Sequence, residues 1–365
     1  MSKIIFISGS NSPETGGELY NYKISQYLKK NNIEQEFISF HKYRSLIWLG
    51  KIPIIGDLLV SFILAILLYK YKGIFIEDHY FSRYLFFTNV LQRVIRKSPV
   101  LTIVHLFYQY ESHDKLLIRR WINGCIEQFH LMFASEIITS SEYSKREIQS
   151  LGISNRRIHV FYPGLDRDKF VNLTPTAEDI GKRKILCIAN FIPRKGIVYL
   201  IDALAQIPKS EFTLHLVGHA DKDFFYYQKI LTRVKELDLE KKVVFHDGKD
   251  RENIKYLYST SDIFVLPSLK ETFGIVLVEA MHYKLPIITT NISAMPDLVK
   301  DGENGLLVPP QNSQALANAL KILITEPELR KQMGERGYQI SQSFDWDKTS
   351  DLFLKFLKSL DFESL

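Results

Sequence analysis

A rhythm in the second half of the chain most constrains what it can fold into. Short apolar runs, KILCIANF, FTLHLVGHA, KVVFHDG, DIFVLPS and PIITT, alternate there with segments of helical period. In IVYLIDALAQI, Ile197, Leu200, Ile201 and Leu204 recur on one face. Strands separated by helices cannot pair as hairpins, so the expected fold is α/β, with a parallel sheet covered by helices on both sides. The first half carries the same signals less regularly. Lys3–Ser8, GIFIEDHYFSR at 73–83, PVLTIVHLFYQY at 99–110 and EIITSSEYS read as strands with polar ends. VNLTPTAEDIGKRK, with Pro175, Gly181 and mixed charge, reads as a linker, which gives domains over 1–175 and 176–344. FDWDKTSDLFLKFLKSL closes the chain as an amphipathic helix opened by Asp345 or Asp347.

Composition narrows the function classes. Hydrophobic residues at 46% and charged residues at 24% describe a globular protein and exclude a disordered one. The net charge of +6 sits in the first half: residues 1–180 hold 22 Lys and Arg against 17 Asp and Glu, the remainder 25 against 24. So diluted an excess excludes a nucleic-acid surface, while an anionic membrane or acceptor suits it. Residues 47–72 are the most apolar stretch, but the unbroken part, Leu58–Tyr69, is too short to span a bilayer. It is either a buried helix or a peripheral membrane contact with Lys70 and Lys72 at the headgroups. Cys125 and Cys187 read as reduced core residues, and MSKIIFISGS as strand rather than signal peptide, so a cytoplasmic location is expected.

Candidate site residues cluster around VLPSLKETFGIVLVEAMHYKLPIITT, residues 265–290, read as strand, helix, strand. Thr272 is of the right type to cap the helix, and Ile275, Val278 and Met281 point toward a sheet. Glu271 stands at the helix mouth, with Glu279 about two turns inside. The first turn of a helix has unpaired N–H groups and partial positive charge, which favour a bound anion, and Gly274 allows close approach. The alternative is that Glu271 is itself the capping anion. Arg194 and Lys195, directly before a helix whose positive end repels them, imply an anion between them or solvent-facing side chains. Gly16 and Gly17 lie in a loop between strand and helix, suited either to a phosphate or sugar or to a plain turn. Glu77, Asp78, His79 and His105 fall at carboxyl ends of strands, where ligands gather in open sheets. Asp166 with Asp168, Asp221 with Asp223 and Asp345 with Asp347 have a spacing that could hold a divalent cation, but none follows an apolar strand, and all read as caps or surface acids. GxGxxG is absent, which disfavours nicotinamide and flavin enzymes.

Taken together, these residues resemble the GT-B glycosyltransferases, and within them the retaining family 4, whose signature of two Glu separated by seven residues is matched by Glu271 and Glu279. The resemblance also covers the Gly16–Gly17 loop, FYPGLD at 161–166, PRKG at 193–196, LVGHA at 216–220, FHDG at 245–248, YSTSDIFVLPS, DGENGLLVPP at 301–310 and the final FDWDK helix. It implies two Rossmann-like domains facing a central cleft, with helix 345–365 packing back onto the first. It implies that Lys195, helped by Arg194, holds the donor diphosphate, and that Glu279 binds the ribose. Glu271 and the N–H groups of Phe273, Gly274, Ile275 and Val276 would hold sugar and phosphate, with His105 near the sugar. Ala189–Asn190 replaces a Gly-Arg common in the family, and Leu106 replaces an Asp. The implied activity is transfer of a sugar, without metal or other cofactor, from a nucleotide-sugar donor, UDP-linked on family frequency, to a glycan or lipid-linked acceptor. A non-catalytic nucleotide-sugar-binding relative, or a GT-B epimerase or phosphorylase, is the alternative.

Overall fold

The computed structural model describes residues 3–9, 15–40, 55–107, 117–165 and 183–360. The chain divides into two units, Met1–Gly164 with Trp346–Leu365, and Leu165–Asp345. The linker around Pro175, and with it the division expected at 175/176, lies outside the described residues, as do residues 47–54.

In the first unit, β1 (Ile4–Ser8), β2 (Gln35–Ser39), β3 (Ile74–Asp78), β4 (Val100–Val104), β5 (Glu136–Thr139) and β6 (Ile158–Val160) form a parallel sheet in the order β2-β1-β3-β4-β5-β6. Every residue of β1, β3 and β4 is buried, because helices cover both faces, and this is why they read as mainly apolar runs rather than as alternating ones. The helices are α1 (Gly16–Lys30), α2 (Ile55–Leu68), α3 (Ser82–Val90), continued by a π-helical turn Leu91–Ile95, α4 (Leu117–Phe133) and α5 (Glu142–Ser150). Gly16 and Gly17 are not a loop: Thr15 and Glu18 form a reciprocal capping box, and the two glycines make the first turn of α1. In α2, Val60, Leu64 and Leu68 pack against Ile5, Phe40 and Phe75, while Leu59, Phe62 and Ile66 remain exposed. The buried-helix expectation thus holds for one face only. Among the described residues no helix is long and apolar enough to cross a membrane.

The second unit repeats the plan with β7 (Arg183–Ile188), β8 (Phe212–Gly218), β9 (Val243–Asp247), β10 (Ile263–Leu266), β11 (Ile287–Thr290) and β12 (Gly305–Val308), in the order β12-β11-β10-β7-β8-β9. Its helices are α6 (Ile197–Leu204), α7 (Phe224–Glu236), α8 (Arg251–Thr260), α9 (Ile275–His282), α10 (Met295–Leu298), α11 (Ser313–Thr325) and α12 (Pro327–Ser341). The face expected on α6 is the buried one: Ile197, Leu200, Ile201 and Leu204 are all at 0% exposure. The last helix, α13 (Trp346–Ser359), begins just after Asp345 and belongs to the first unit. Its Trp346, Phe353, Leu354 and Leu357 join Ile4, Phe6 and Ile24 in one core, and Thr349 Oγ1 donates to the Tyr162 carbonyl at 2.8 Å.

Both cysteines are free. Cys187 is buried in β7, where burial pushes its thiol up to about 12. Cys125 is only half-buried, so it is not the core residue expected, because it lies on the outer side of α4. Strand order reverses between β1 and β3 in one sheet and between β7 and β10 in the other. Loops leaving neighbouring strands in opposite directions open a crevice at such a switch point, and the candidate residues gather at these two.

Candidate active site

In the second unit the loops after β7 and β10 are bound to each other backbone to backbone. After β7 the chain passes Asn190, whose carbonyl accepts from the Ile192 N–H at 2.9 Å, and makes a 3-10 turn, Pro193–Lys195. Gly196 ends the turn at φ +66°, and a Cβ there would lie 2.1 Å from the Pro267 carbonyl oxygen, so only glycine fits. The Leu269 N–H donates to the Arg194 carbonyl at 2.7 Å, and the Arg194 guanidinium donates to the Lys270 carbonyl at 3.0 Å. The Ala294 N–H donates to the Glu271 carbonyl at 3.1 Å and anchors the far side of the loop.

This clasp brings Lys195 and Glu271, 76 residues apart in sequence, into a direct ion pair, with Arg194 Nη1 3.8 Å from Glu271 Oε1. The anion expected between the two cations is therefore the protein's own carboxylate. Burial disfavours both charges. It lowers Lys195, against the pull of Glu271, and it would raise Glu271, but Lys195 and Arg194 outweigh it and hold the Glu271 carboxyl below its ordinary range.

Helix α9 starts at Ile275, with Gly274 at φ +85° as its first boundary residue and no side chain capping it. Thr272 is not the cap. The chain turns sharply into α9 through a left-handed residue, which glycine adopts without cost, and that geometry overrides the capping preference of threonine. The uncapped end keeps the partial positive charge of its first turn, beside Arg194 and Lys195. Val278 and Met281 are buried as expected, whereas Ile275 and Val276 are half-buried at the open end; Phe273 is buried against Phe344, ring centroids 5.7 Å apart. Glu279 accepts a hydrogen bond from the Tyr258 hydroxyl at 2.8 Å. Tyr258 itself is buried on α8 and stacked on Tyr283 at 5.2 Å, so its hydroxyl fixes the carboxylate from a rigid base. Sequence reasoning missed Tyr258.

At the first unit's switch point the chemistry is neutral. His105, half-buried after β4, sits against the first turn of α1, and a Cβ on Gly17 would lie 2.9 Å from its ring. The lack of a side chain at Gly17 thus leaves room for His105. Asn21 Nδ2 donates to Asp78 Oδ2 at 2.7 Å and to Ser8 Oγ at 3.1 Å, and His105 Nε2 lies 3.0 Å from Asn21 Oδ1. Since the carboxylate only accepts, the amide nitrogen of Asn21 must face Asp78, and its oxygen is left to accept from His105 Nε2–H. His105 is thereby fixed with its proton on Nε2, and burial lowers its pKa to about 4, keeping the ring neutral. Asn21 was not singled out from the sequence, although a fully buried polar residue beside Tyr20, Ile24 and Leu28 on the apolar face of α1 is a readable signal.

Glu77 and His79 do not face an open crevice. Side chains alternate across a strand, so Asp78 points toward α1 while Glu77 enters the layer beneath α3 and α4. There Glu77 accepts from Asn89 at 2.6 Å and Thr102 at 3.0 Å and lies 2.9 Å from His130 Nε2. His79, 1% exposed, packs edge-on against Phe107. Among the described residues no group of three His, Cys, Asp or Glu could hold a metal ion. Asp223 caps α7 through the Tyr226 N–H at 2.9 Å, and Asp221 is exposed; Asp166 and Asp168 lie outside the described residues.

Two Rossmann-type sheets, one ending in a cation pair beside a helix start, define a GT-B protein. Sucrose-phosphate synthase from Thermosynechococcus elongatus shares this fold with a TM-score of 0.79 over 99% of both chains, at 21% identity. HepE from Anabaena, solved with UDP, does so with a TM-score of 0.75 over 98% of this chain and 100% of its own, at 23% identity. The chain belongs to the family 4 glycosyltransferases: Glycosyltransferase Family 4 matches residues 15–169, and Glycosyl transferases group 1 matches residues 169–340. A glycosyltransferase of Methanocaldococcus jannaschii is 31% identical over 252 residues, 68% of this chain and 66% of its own length. The D-inositol 3-phosphate glycosyltransferase of Corynebacterium glutamicum is 27% identical over 202 residues, 53% of this chain and 47% of its own. The chain thus spans about half to two-thirds of the length of these relatives.

Proposed function

We propose that this chain is a retaining glycosyltransferase that moves a sugar from a UDP-linked donor to a glycan or lipid-linked acceptor in cell-surface glycan synthesis. The observation that carries this reading is the Arg194, Lys195 and Glu271 triad beside the uncapped start of α9. A donor diphosphate is a stronger anion than one carboxylate. On binding it takes over Arg194, Lys195 and the first-turn N–H groups of α9, and it releases Glu271 to the sugar. Cleavage of the bond from sugar C1 to the diphosphate leaves negative charge on the leaving oxygens and positive charge on the sugar. The cations and the helix end stabilise the first without a divalent metal, and the Glu271 carboxylate stabilises and orients the second. The acceptor hydroxyl attacks from the face the phosphate leaves, and the leaving phosphate takes its proton, so the anomeric configuration is retained. Glu279, held by Tyr258, binds the ribose, and His105 is assigned to the transferred sugar as a neutral hydrogen-bonding group. The UDP bound by HepE supports the choice of nucleotide.

Product analysis with a panel of UDP- and GDP-sugars tests this reading. A retained anomeric product, formed in excess chelator as well as without it, is expected. Inversion would remove the same-face step, and loss of activity restored by Mg or Mn would remove the metal-free part. Donor binding without turnover, or turnover without an acceptor, would replace transfer by the binding protein or by the epimerase or phosphorylase.

A further inference from the structure

We infer that α2, α3 with its π turn, and α4 form one continuous surface that docks on an anionic lipid bilayer. On α2 the side turned from the sheet carries Phe62 and Ile66 at 54% and 60% exposure. The π turn after α3 is wider than an α turn and sets Val94 and Ile95 outward, at 61% and 64%. Phe129 and Met132 of α4 are exposed as well. Ring contacts join the three helices: Phe62 meets Phe87 at 6.2 Å, Phe87 meets Phe86 at 5.2 Å, and Phe86 meets Phe133 at 6.2 Å. A contiguous exposed apolar surface of this kind marks an interaction site.

Charge identifies the partner. Across residues 55–107 each acid, Asp57, Glu77 and Asp78, is buried, while Lys70, Lys72, Arg83, Arg93, Arg96 and Lys97 are not. On α4 the one acid, Glu127, is buried beside His79, at 3.9 Å. Two acids on strands of the same sheet are paired, Glu36 of β2 with Lys3 at 3.0 Å and Glu136 of β5 with His159 at 2.8 Å. Between the π turn and α4 lies a groove lined by Arg93, Val94, Lys97, Met132 and Phe133, two cations over an apolar floor. Arg96 lies over the Tyr69 ring at 3.9 Å, a pairing suited to the boundary between headgroups and acyl chains. A protein partner has no need of so one-sided a charge field, whereas anionic headgroups above an apolar layer match it. The surface extends the contact expected of residues 47–72 to two further helices, and it is independent of the catalytic reading.

Flotation with phosphatidylcholine vesicles, with and without a third of phosphatidylglycerol, tests the inference. The protein is expected to float with the anionic vesicles at low salt and to be released at high salt. An I66E/I95E variant should stay at the bottom of the gradient. A K70Q/K72Q/K97Q variant should bind about 100-fold more weakly, at roughly fivefold per cation near an anionic surface. Circular dichroism and unchanged melting temperatures check that both variants fold. Wild-type protein that does not float, or variants that float as well as it does, would overturn the assignment. So would a dimer in sedimentation that I66E/I95E abolishes, since the face would then belong to a second copy.

Discussion

The two switch points are built on parallel sheets of the same plan, one in each unit, and do opposite things with polarity. In the second unit, charge is concentrated: two cations and a carboxylate are locked by backbone bonds between adjacent loops. In the first, charge is kept one residue away from the candidate group, since Asp78 reaches His105 only through Asn21, and the imidazole stays neutral. The same plan thus yields a cation-rich switch point in one unit and a neutral hydrogen-bonding one in the other; under the proposed function the first suits a diphosphate and the second a sugar. Sheet order decides where each site lies, and the residues one step beyond the strands decide its chemistry.

The contrast breaks most severely if the cation is removed. Lys195→Met leaves Glu271 buried beside Arg194 alone, and a loss of about 3 kcal/mol is expected from breaking a buried pair, read as a lower urea midpoint. An unchanged midpoint would mean that the pair is solvated and weak. Next in size, Glu271→Gln should lower kcat about 100-fold with little change in donor KM, as for loss of one preorganised electrostatic contact. Normal turnover in that variant would leave the carboxylate as a placeholder for phosphate and nothing more. In the first unit, Gly17→Ala should cost about 2 kcal/mol, because the added methyl group drives into the His105 ring. A neutral result in thermal melting would show that His105 can move away freely. Smaller still, Tyr258→Phe removes one hydrogen bond to Glu279, worth about 1 kcal/mol, and should raise donor KM about fivefold at constant kcat.

Acid sharpens the same comparison through its sign. His105 falls from its ordinary value of 6.5 to about 4 in the folded state, because of burial. The unfolded chain then binds more protons between those values, so this contribution is full above pH 6.5 and is lost as pH falls toward about 4. Glu271 is depressed below its ordinary 4.5, so its contribution is full above that value and is lost only as pH falls further. Urea midpoints measured across this range should show two losses in that order, the first one reduced in His105→Gln but not abolished, because burial lowers His79 and His246 as well. A first loss of the same size in wild type and in His105→Gln would mean that His105 titrates as it does in water.

The fold was legible because it is written locally. Ile197, Leu200, Ile201 and Leu204 announce a buried helical face to anyone counting residues, and that face is fully buried. The charges of the site were legible as types and not as partners. Arg194 and Lys195 called for an anion, but its identity depended on the clasp formed by two loops 76 residues apart. Thr272 misled because capping preference reads side chains, whereas the start of α9 is set by a backbone dihedral at Gly274. The contact of Gly17 with His105 was hidden for a related reason: tertiary structure brings together residues 88 positions apart. Leu58–Tyr69 left two readings open, and a helix with one buried and one exposed apolar face accommodates both.

The return of α13 has a consequence for how this molecule is made. The ribosome delivers β1 first, yet the core around Ile4, Phe6 and Ile24 lacks Trp346, Phe353, Leu354 and Leu357 until synthesis has passed residue 357. The second unit, continuous from Leu165 to Asp345, has no such wait. The later-synthesised unit can therefore close while the earlier one still exposes apolar surface. The interval between them is when the nascent chain is open to aggregation and to chaperones.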